Sequence, residues 1–499
     1  MSLMRAGVFG LAVWFFLSLA PSPASAPPSR LALTVQAAVT SPADISQRVS
    51  TCVLPDIVCA DFSWEVADRF TPVWLSWSRD DRRNYSRSVL RQPFSLAFDA
   101  CRARGGRTPI NLYSWVVRGV DDPGFSQSRE VESCQLSIQV PAEGAYEVLL
   151  TVRGQDGQAA TTMQRVVLKD LLIVSIGDSY ASGEGNPDVP RGPTSPGSWQ
   201  DRRCHRSRFS GPAQAAWELE RRDEQSTVTF LSYACSGAQI RKGLIGEYLG
   251  LIPQRPPIPP QIKAAATLLC GDELCDRPED PTIDVLLISI GGNDVGFSAA
   301  ILACAARLED IADRTLQRII RIGFIPKKDC HQQPGLTRFV EGRFRELPGL
   351  YEELRQEIST RLKVDTLYIS EYPVDFFDSR AGCGTLELVT ATEAQWLASQ
   401  GQRLNQIIHN SWRPGWTNIG NDRWRRTRRW DVISEIASGF AGYGYCATPT
   451  YYGHLGRSIT QQLDYLGFLH PNADGHRVYK DAILRKLQTV REQIIRFPP

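Results

Sequence analysis

Hydrophobic and polar positions change their rhythm once along this chain. Between about residues 45 and 168, apolar residues alternate with polar ones in short runs: YSWVVRG (113–119), CQLSIQV (134–140), YEVLLTV (146–152) and TTMQRVVL (161–168). The turns PAEGA (141–145) and GQDG (154–157) separate them. Period-two alternation bounded by Gly and Asp predicts half-buried antiparallel strands. From Lys169 on, short unbroken apolar runs alternate with long amphipathic ones. LLIVSI (171–176), VTFLSY (228–233), DVLLISI (284–290), TLYIS (366–370) and DVISEI (431–436) predict buried strands. The stretches 213–222, 339–362, 393–411 and 473–495 predict helices. Strands alternating with helices predict a parallel sheet with helices on both faces. The pattern therefore predicts a small β domain over 45–168 and a three-layer α/β/α domain over 169–499.

The first 26 residues follow neither rhythm. Arg5 precedes an uncharged, largely apolar run from Gly7 to Ala20, then the small, Pro-rich PSPASA. This is the layout of a secretory signal peptide, with an uncleaved anchor as the alternative reading of the same run. An exported, extracellular chain keeps its cysteines as disulfides, and the count of 12 is even. With 56 Lys+Arg against 54 Asp+Glu, the net charge of +2 removes the simplest case for a nucleic-acid partner. The basic run Arg423–Trp430 reads as a solvated face, the cluster PQRPPIPPQ (253–261) as a connector, and 186–201 as a lid or a surface loop.

Ligands of open parallel sheets collect at the carboxyl ends of the strands. Here three successive predicted strands end in small, hydrogen-bonding residues: Gly177-Asp178-Ser179, Ala234-Cys235-Ser236-Gly237 and Gly291-Gly292-Asn293-Asp294. That pattern suits nucleophilic acyl transfer. Ser179 would attack; its own N–H, the Gly237 N–H and the Asn293 side-chain amide would hold the developing oxyanion. A serine hydroxyl needs a general base. Of six histidines, His470 stands just before the last predicted helix, in a loop stiffened by Pro471. His476 falls inside that helix, where it packs or faces solvent. Metal-ligand spacings, a phosphate-cradling glycine loop and the Gly-x-Ser-x-Gly elbow are absent from the sequence, so neither metal nor cofactor is expected.

In their order, Gly177-Asp178-Ser179, Gly237, Gly291-Gly292-Asn293-Asp294 and His470-Pro471-Asn472 resemble the four blocks of the GDSL, or SGNH, hydrolases. GDSYASGEG, Cys204-His205-Arg206-Ser207, ACSGA, GGNDVGF, EYP (371–373) and FAGYGYC resemble the secreted bacterial esterase branch. The resemblance implies a flavodoxin-like α/β/α fold and hydrolysis of carboxylic esters through a seryl intermediate. It implies Ser179 as nucleophile, Gly237 and Asn293 in the oxyanion hole, and His470 as base. One feature departs from the family pattern: three residues before the histidine, where many members carry Asp, stands Gly467. The resemblance allows a Ser179–His470 dyad oriented by the Gly467 main-chain carbonyl, with an Asp464 triad as the alternative; Asp474, four residues after, also lacks the family spacing. It further implies the bridges Cys204–Cys235, Cys270–Cys275, Cys304–Cys330 and Cys383–Cys446. The N-terminal part resembles a small β-sandwich of the immunoglobulin or PKD type, with Trp115 in its core and a Cys101–Cys134 bridge. Cys52 and Cys59 complete the even count there.

The expectation is a secreted serine ester hydrolase, an esterase or lipase. Its β module would meet a cell surface or polysaccharide. The alternative is a non-catalytic cell-surface binding protein with a hydrolase-like domain. Lipid, short-chain ester and acylated glycan all remain open as substrates.

Overall fold

The alternating N-terminal segments pair as antiparallel strands. In the computed structural model, residues 52, 56–67, 72–73, 93–190, 198–252, 256–305, 330–377, 389–413 and 427–496 are described. The signal-like segment 1–26, Cys383 and Arg423–Arg426 lie outside them. The strands are β1 (Val58–Cys59), β2 (Ser63–Ala67), β3 (Pro72–Val73), β4 (Phe94–Asp99) and β5 (Arg104–Gly105). They continue with β6 (Ile110–Gly119), β7 (Ser126–Val131), β8 (Gln135–Val140), β9 (Gly144–Gly154) and β10 (Ala159–Gly177). One sheet runs β2-β4-β8; a second path runs β7-β6-β9-β10. Their inward residues share one core. Trp115, 1% exposed, lies 5.2 Å from the Phe62 ring and 5.3 Å from that of Phe98. Disulfides join Cys52 to Cys59 and Cys101 to Cys134.

The change of rhythm at Lys169 is a change of partners along one strand. β10 is 19 residues long. Its first half pairs antiparallel with β9 as far as Leu168, opposite Gly144. From Lys169 it pairs parallel with β11 (Ser226–Ser232), and from Ile173 with β12 (Ile283–Ser289) as well. The boundary expected between residues 168 and 169 thus falls inside a continuous strand. Alternation and an unbroken apolar run are both extended backbone; they differ only in whether one face or two are covered. At the joint, Lys169 Nζ lies 2.9 Å from Glu143 and 3.3 Å from Asp284, and Thr229 Oγ1 donates to Asp170 at 2.7 Å.

Beyond β12 come β13 (Val364–Ser370) and β14 (Thr427–Ile433), all parallel. The order β11-β10-β12-β13-β14 is the flavodoxin-like 2-1-3-4-5 order of doubly wound sheets. β14 starts four residues before the expected 431. β3 pairs parallel with β11 on its free side, so an N-terminal segment extends the parallel sheet. The helices are α1 (Ser179–Ser182), α2 (Gly211–Arg221), α3 (Gln261–Cys270), α4 (Phe297–Ala305) and α5 (Pro334–Arg361). After them come α6 (Ala391–Ser411), α7 (Ile436–Gly439), α8 (Leu455–Gln462) and α9 (Ala473–Arg496). They form two packing groups: α2 with α9, and α3, α4 and α6 around α5. Between these layers every residue of β12 is buried. No described helix is long and apolar enough to cross a membrane.

Candidate active site

Ser179 stands where the two halves of the switch point meet. β10 ends at Gly177, whose N–H and C=O are both bonded by the Gln261 side chain of α3, at 2.7 and 2.9 Å. Asp178 then caps α1, its carboxyl accepting the Tyr180 N–H at 3.1 Å and the Tyr372 hydroxyl. Burial pushes the Asp178 pKa up to about 7, against those hydrogen bonds. Ser179 is the first helical residue, a position whose N–H has no acceptor within the helix.

Two loops bring further donors. The Cys204–Cys235 bridge anchors the loop after β11, and Ser236 N–H bonds Cys204 O at 3.0 Å. Gly237 has φ +81°, and a Cβ there would lie 2.4 Å from Tyr248 Oη, so only glycine fits. Its N–H has no acceptor among the described residues. After β12, the Asn293 amide donates to Ala238 O at 3.0 Å while its oxygen accepts from Ser298 Oγ at 3.2 Å. That leaves one amide N–H free. Gln239 Nε2 bonds Asn293 O and Ile240 N–H bonds Asp294, so the two loops are strapped together. Ser179, Gly237, Asn293 and His470 line one cavity of about 230 Å³. Its far walls are apolar: Leu251, Phe297, Ile301, Phe376, Leu404 and Phe468.

His470 Nε2 lies 2.8 Å from Ser179 Oγ. Its loop is fixed by Gly453 N–H on His470 O at 2.8 Å and by Asn472, whose side chain accepts from Asp474 and Gly475 at the start of α9. Gly185, at φ +89°, lets the chain pass beneath: a Cβ there would lie 2.6 Å from Pro471 O and 3.2 Å from His470 Cβ. Burial pulls the His470 pKa down, so the ring is neutral, and able to accept a proton, at neutral pH.

Both orienters expected for His470 sit elsewhere. The Gly467 carbonyl takes the main-chain N–H of His470 at 3.3 Å, closing an i to i+3 turn. Asp464 accepts the Leu466 N–H at 2.8 Å and lies 3.7 Å from His205 Nε2. Asp474 pairs with Arg477. His470 Nδ1 makes no hydrogen bond of ordinary geometry; the Leu466 and Phe468 carbonyls lie close enough to favour its protonated form.

The acidic group that acts electrostatically on His470 is Glu184, to which the sequence analysis gave no role. It is 0% exposed. Its oxygens accept from His205 Nδ1 at 2.9 and 3.1 Å, from Ser236 Oγ at 2.9 Å and from Gln462 Nε2 at 2.6 Å. Burial raises the carboxyl pKa, but His205 and the hydrogen bonds outweigh it and hold the group ionised, at about 2. His205 is buried too; the cost of charging it is outweighed by Glu184, and its pKa is raised. Its ring stacks on Trp199 at 4.3 Å. The Glu184 charge also favours protonated His470. Glu184, His205 and Asp464 bring ligand-type atoms within 4.8 Å of one another, with both Glu184 oxygens engaged in the hydrogen bonds just described. His476 is fully buried and donates to Glu184 O at 3.0 Å; burial pulls its pKa down to about 4. Glu184 and His205 lay in plain view within GDSYASGEG and Cys204-His205-Arg206-Ser207, and a carboxylate between two glycines just past the serine was the available signal.

The α/β part also carries Cys270–Cys275 and Cys304–Cys330 bridges; Cys446 is disulfide-bonded. No family model matches the sequence, and no curated protein does. Among solved structures, the chain is similar to an extracellular lipase from Streptomyces rimosus, at 18% identity and a TM-score of 0.38, over 64% of this chain and 99% of that one. It is similar to phospholipase A1 from Streptomyces albidoflavus at 17% identity and a TM-score of 0.37, over 64% and 98%. A likeness to the aryl esterase of M. smegmatis has 9% identity and a TM-score of 0.26, over 64% and 99%. These likenesses are distant, and the doubly wound α/β fold rests on its own strand order.

Proposed function

We propose that this chain is an exported serine ester hydrolase of the GDSL/SGNH kind. The observation that carries the reading is the 2.8 Å contact between Ser179 Oγ and His470 Nε2, beside three unused N–H donors. His470 would take the hydroxyl proton as Ser179 attacks the ester carbonyl carbon. The oxyanion would fall to the N–H groups of Ser179 and Gly237 and to the Asn293 amide. The imidazolium would then protonate the departing alkoxide, and water, activated by the same ring, would release the acid. Glu184 supplies the negative charge that favours the imidazolium. That charge also weakens the alternative of a hydrolase-like binding protein, which rested on the missing Asp before His470. Five disulfides among the described residues suit an extracellular location. The N-terminal strands would form the immunoglobulin- or PKD-like module expected from sequence and meet a cell surface or polysaccharide.

The test is hydrolysis of nitrophenyl esters of graded chain length, with fluorophosphonate labelling. Wild type should turn over and label once, and Ser179→Ala should do neither. A folded wild type that neither hydrolyses nor labels would remove the enzyme reading.

A further inference from the structure

The motif EYP (371–373) has no part in the chemistry above. It follows directly on β13, so a further parallel strand delivers residues to the carboxyl edge where Ser179 and Asn293 stand. Tyr372 is 3% exposed and lines the cavity with both. Its main chain is clasped by Asn405 of α6, whose side-chain oxygen accepts the Tyr372 N–H at 2.9 Å while the amide donates to Tyr372 O at 2.8 Å. Its ring meets the Tyr180 ring edge-on at 5.0 Å, and a Cβ at Gly292 would lie 3.1 Å from Tyr372 Cε1. Backbone and ring are held, and the place of the hydroxyl is fixed with them.

That hydroxyl makes two hydrogen bonds at once. It donates to the Asp178 carboxyl and accepts the Gly292 N–H at 3.3 Å. Each partner adjoins a proposed oxyanion donor: Asp178 caps α1 just before Ser179, and Gly292 precedes Asn293. Loss of the hydroxyl would leave both partners short. Asp178 is buried, and Tyr372 is foremost among the contacts that hold its pKa down, at about 7, against that burial. The Gly292 N–H has no other acceptor among the described residues. Burial raises the Tyr372 pKa well above that of an ordinary phenol, so the hydroxyl keeps its proton and its role as donor.

We propose that Tyr372 is a positioning residue: its hydroxyl ties the turn of Ser179 to the turn of Asn293 and so sets the spacing of the oxyanion donors. The tie stands on the two hydrogen bonds; its effect on turnover rests on the hydrolase reading above.

The experiment uses the full chain carrying Tyr372→Phe, which keeps the ring and removes only the hydroxyl. Hydrogen exchange, read by mass spectrometry, should quicken in peptides covering 177–183 and 290–296, while β9 and β13 stay as protected as in wild type. On dissolved nitrophenyl acetate, kcat should fall roughly 10–100-fold with KM within about twofold, since displacing a donor costs less than the roughly 10²–10³ of removing one. In an Asn293→Ala background the same change should cost at least roughly threefold less, because one of the donors it places is gone. Unchanged kcat and exchange would overturn the proposal. So would exchange that quickens throughout the sheet, or an equal cost with and without Asn293, since either result marks the tyrosine as packing alone. A wild type that hydrolyses no ester, with both turns loosened by Tyr372→Phe, would leave the tie standing and remove the hydrolase reading.

Discussion

Replacing Glu184 by glutamine tests how this site manages without a carboxylate bonded to its histidine. The substitution keeps the shape and removes the charge. For a carboxylate and an imidazolium roughly 6–8 Å apart at an effective dielectric of about 20, Coulomb's law gives about 2–3 kcal/mol. Protonation of His205, which Glu184 favours, opposes part of this, leaving about 1–2 kcal/mol, or roughly 5–30-fold in kcat. That is far below the roughly 10⁴-fold that follows loss of a carboxylate bonded directly to a catalytic histidine. The assay is kcat and kcat/KM on a soluble ester across pH, normalised to sites labelled by fluorophosphonate.

The pH profile separates this account from a merely structural one. Neutral His470 is the working form, so the acid limb of kcat/KM follows its pKa, which burial already pulls down. Glu184 raises that pKa, and its removal should move the acid limb to lower pH. A lower kcat with an unmoved limb would refute the electrostatic role. A fall of about 10⁴ would mean direct contact with the ring. Stability gives a second reading. The carboxyl is held at about 2 against an ordinary 4.5, so its contribution is present above about pH 4.5 and is lost as pH falls through about 2. The stability gap between wild type and Glu184→Gln should therefore narrow over that window in denaturant titrations.

Asn293→Ala should lower kcat by roughly 10²–10³ with little change in KM, as measured on soluble esters. Cys204→Ser with Cys235→Ser opens a bridge of sequence separation 31 and should cost about 3–4 kcal/mol of stability by chemical denaturation. Calorimetry should show the strands on both sides of residue 169 melting in one transition, because β10 belongs to both; two well-separated transitions would contradict that coupling.

The parallel strands were legible because they are buried on both faces and their apolar runs are unbroken; the segments predicted at 171–176, 228–233, 284–290 and 366–370 all lie on strands, within one residue. β14 was misplaced because it begins Thr427-Arg428-Arg429-Trp430, a polar run that an outermost strand tolerates where Arg429 reaches solvent. The order of their blocks named Ser179 and His470 as candidates, and the fold brings the two side chains to 2.8 Å. The Glu184 network was not, since its partners lie 21, 52 and 278 residues away and only folding brings them together. The orienter of His470 was misjudged for a related reason. Which carbonyl faces a ring depends on how a turn closes, and the Gly467 carbonyl closes its turn on the His470 main chain.

The continuity of β10 bears on how Ser179, the proposed nucleophile, is held. Ser179 follows directly on a strand whose far half is fixed in another sheet by ten consecutive residue pairs, Ala159 to Leu168 against Arg153 to Gly144. A strand rises about 3.3 Å per residue, so β10 spans roughly 60 Å of extended backbone. A freely tethered module would leave the start of the parallel strand to fray. Here Lys169 is held at mid-strand by Glu143 from one side and Asp284 from the other. The N-terminal strands are therefore joined to the strand that leads into Ser179 by β10 itself. Substitutions at Lys169, eight residues before Gly177 on the same strand, fall on the joint that couples the two.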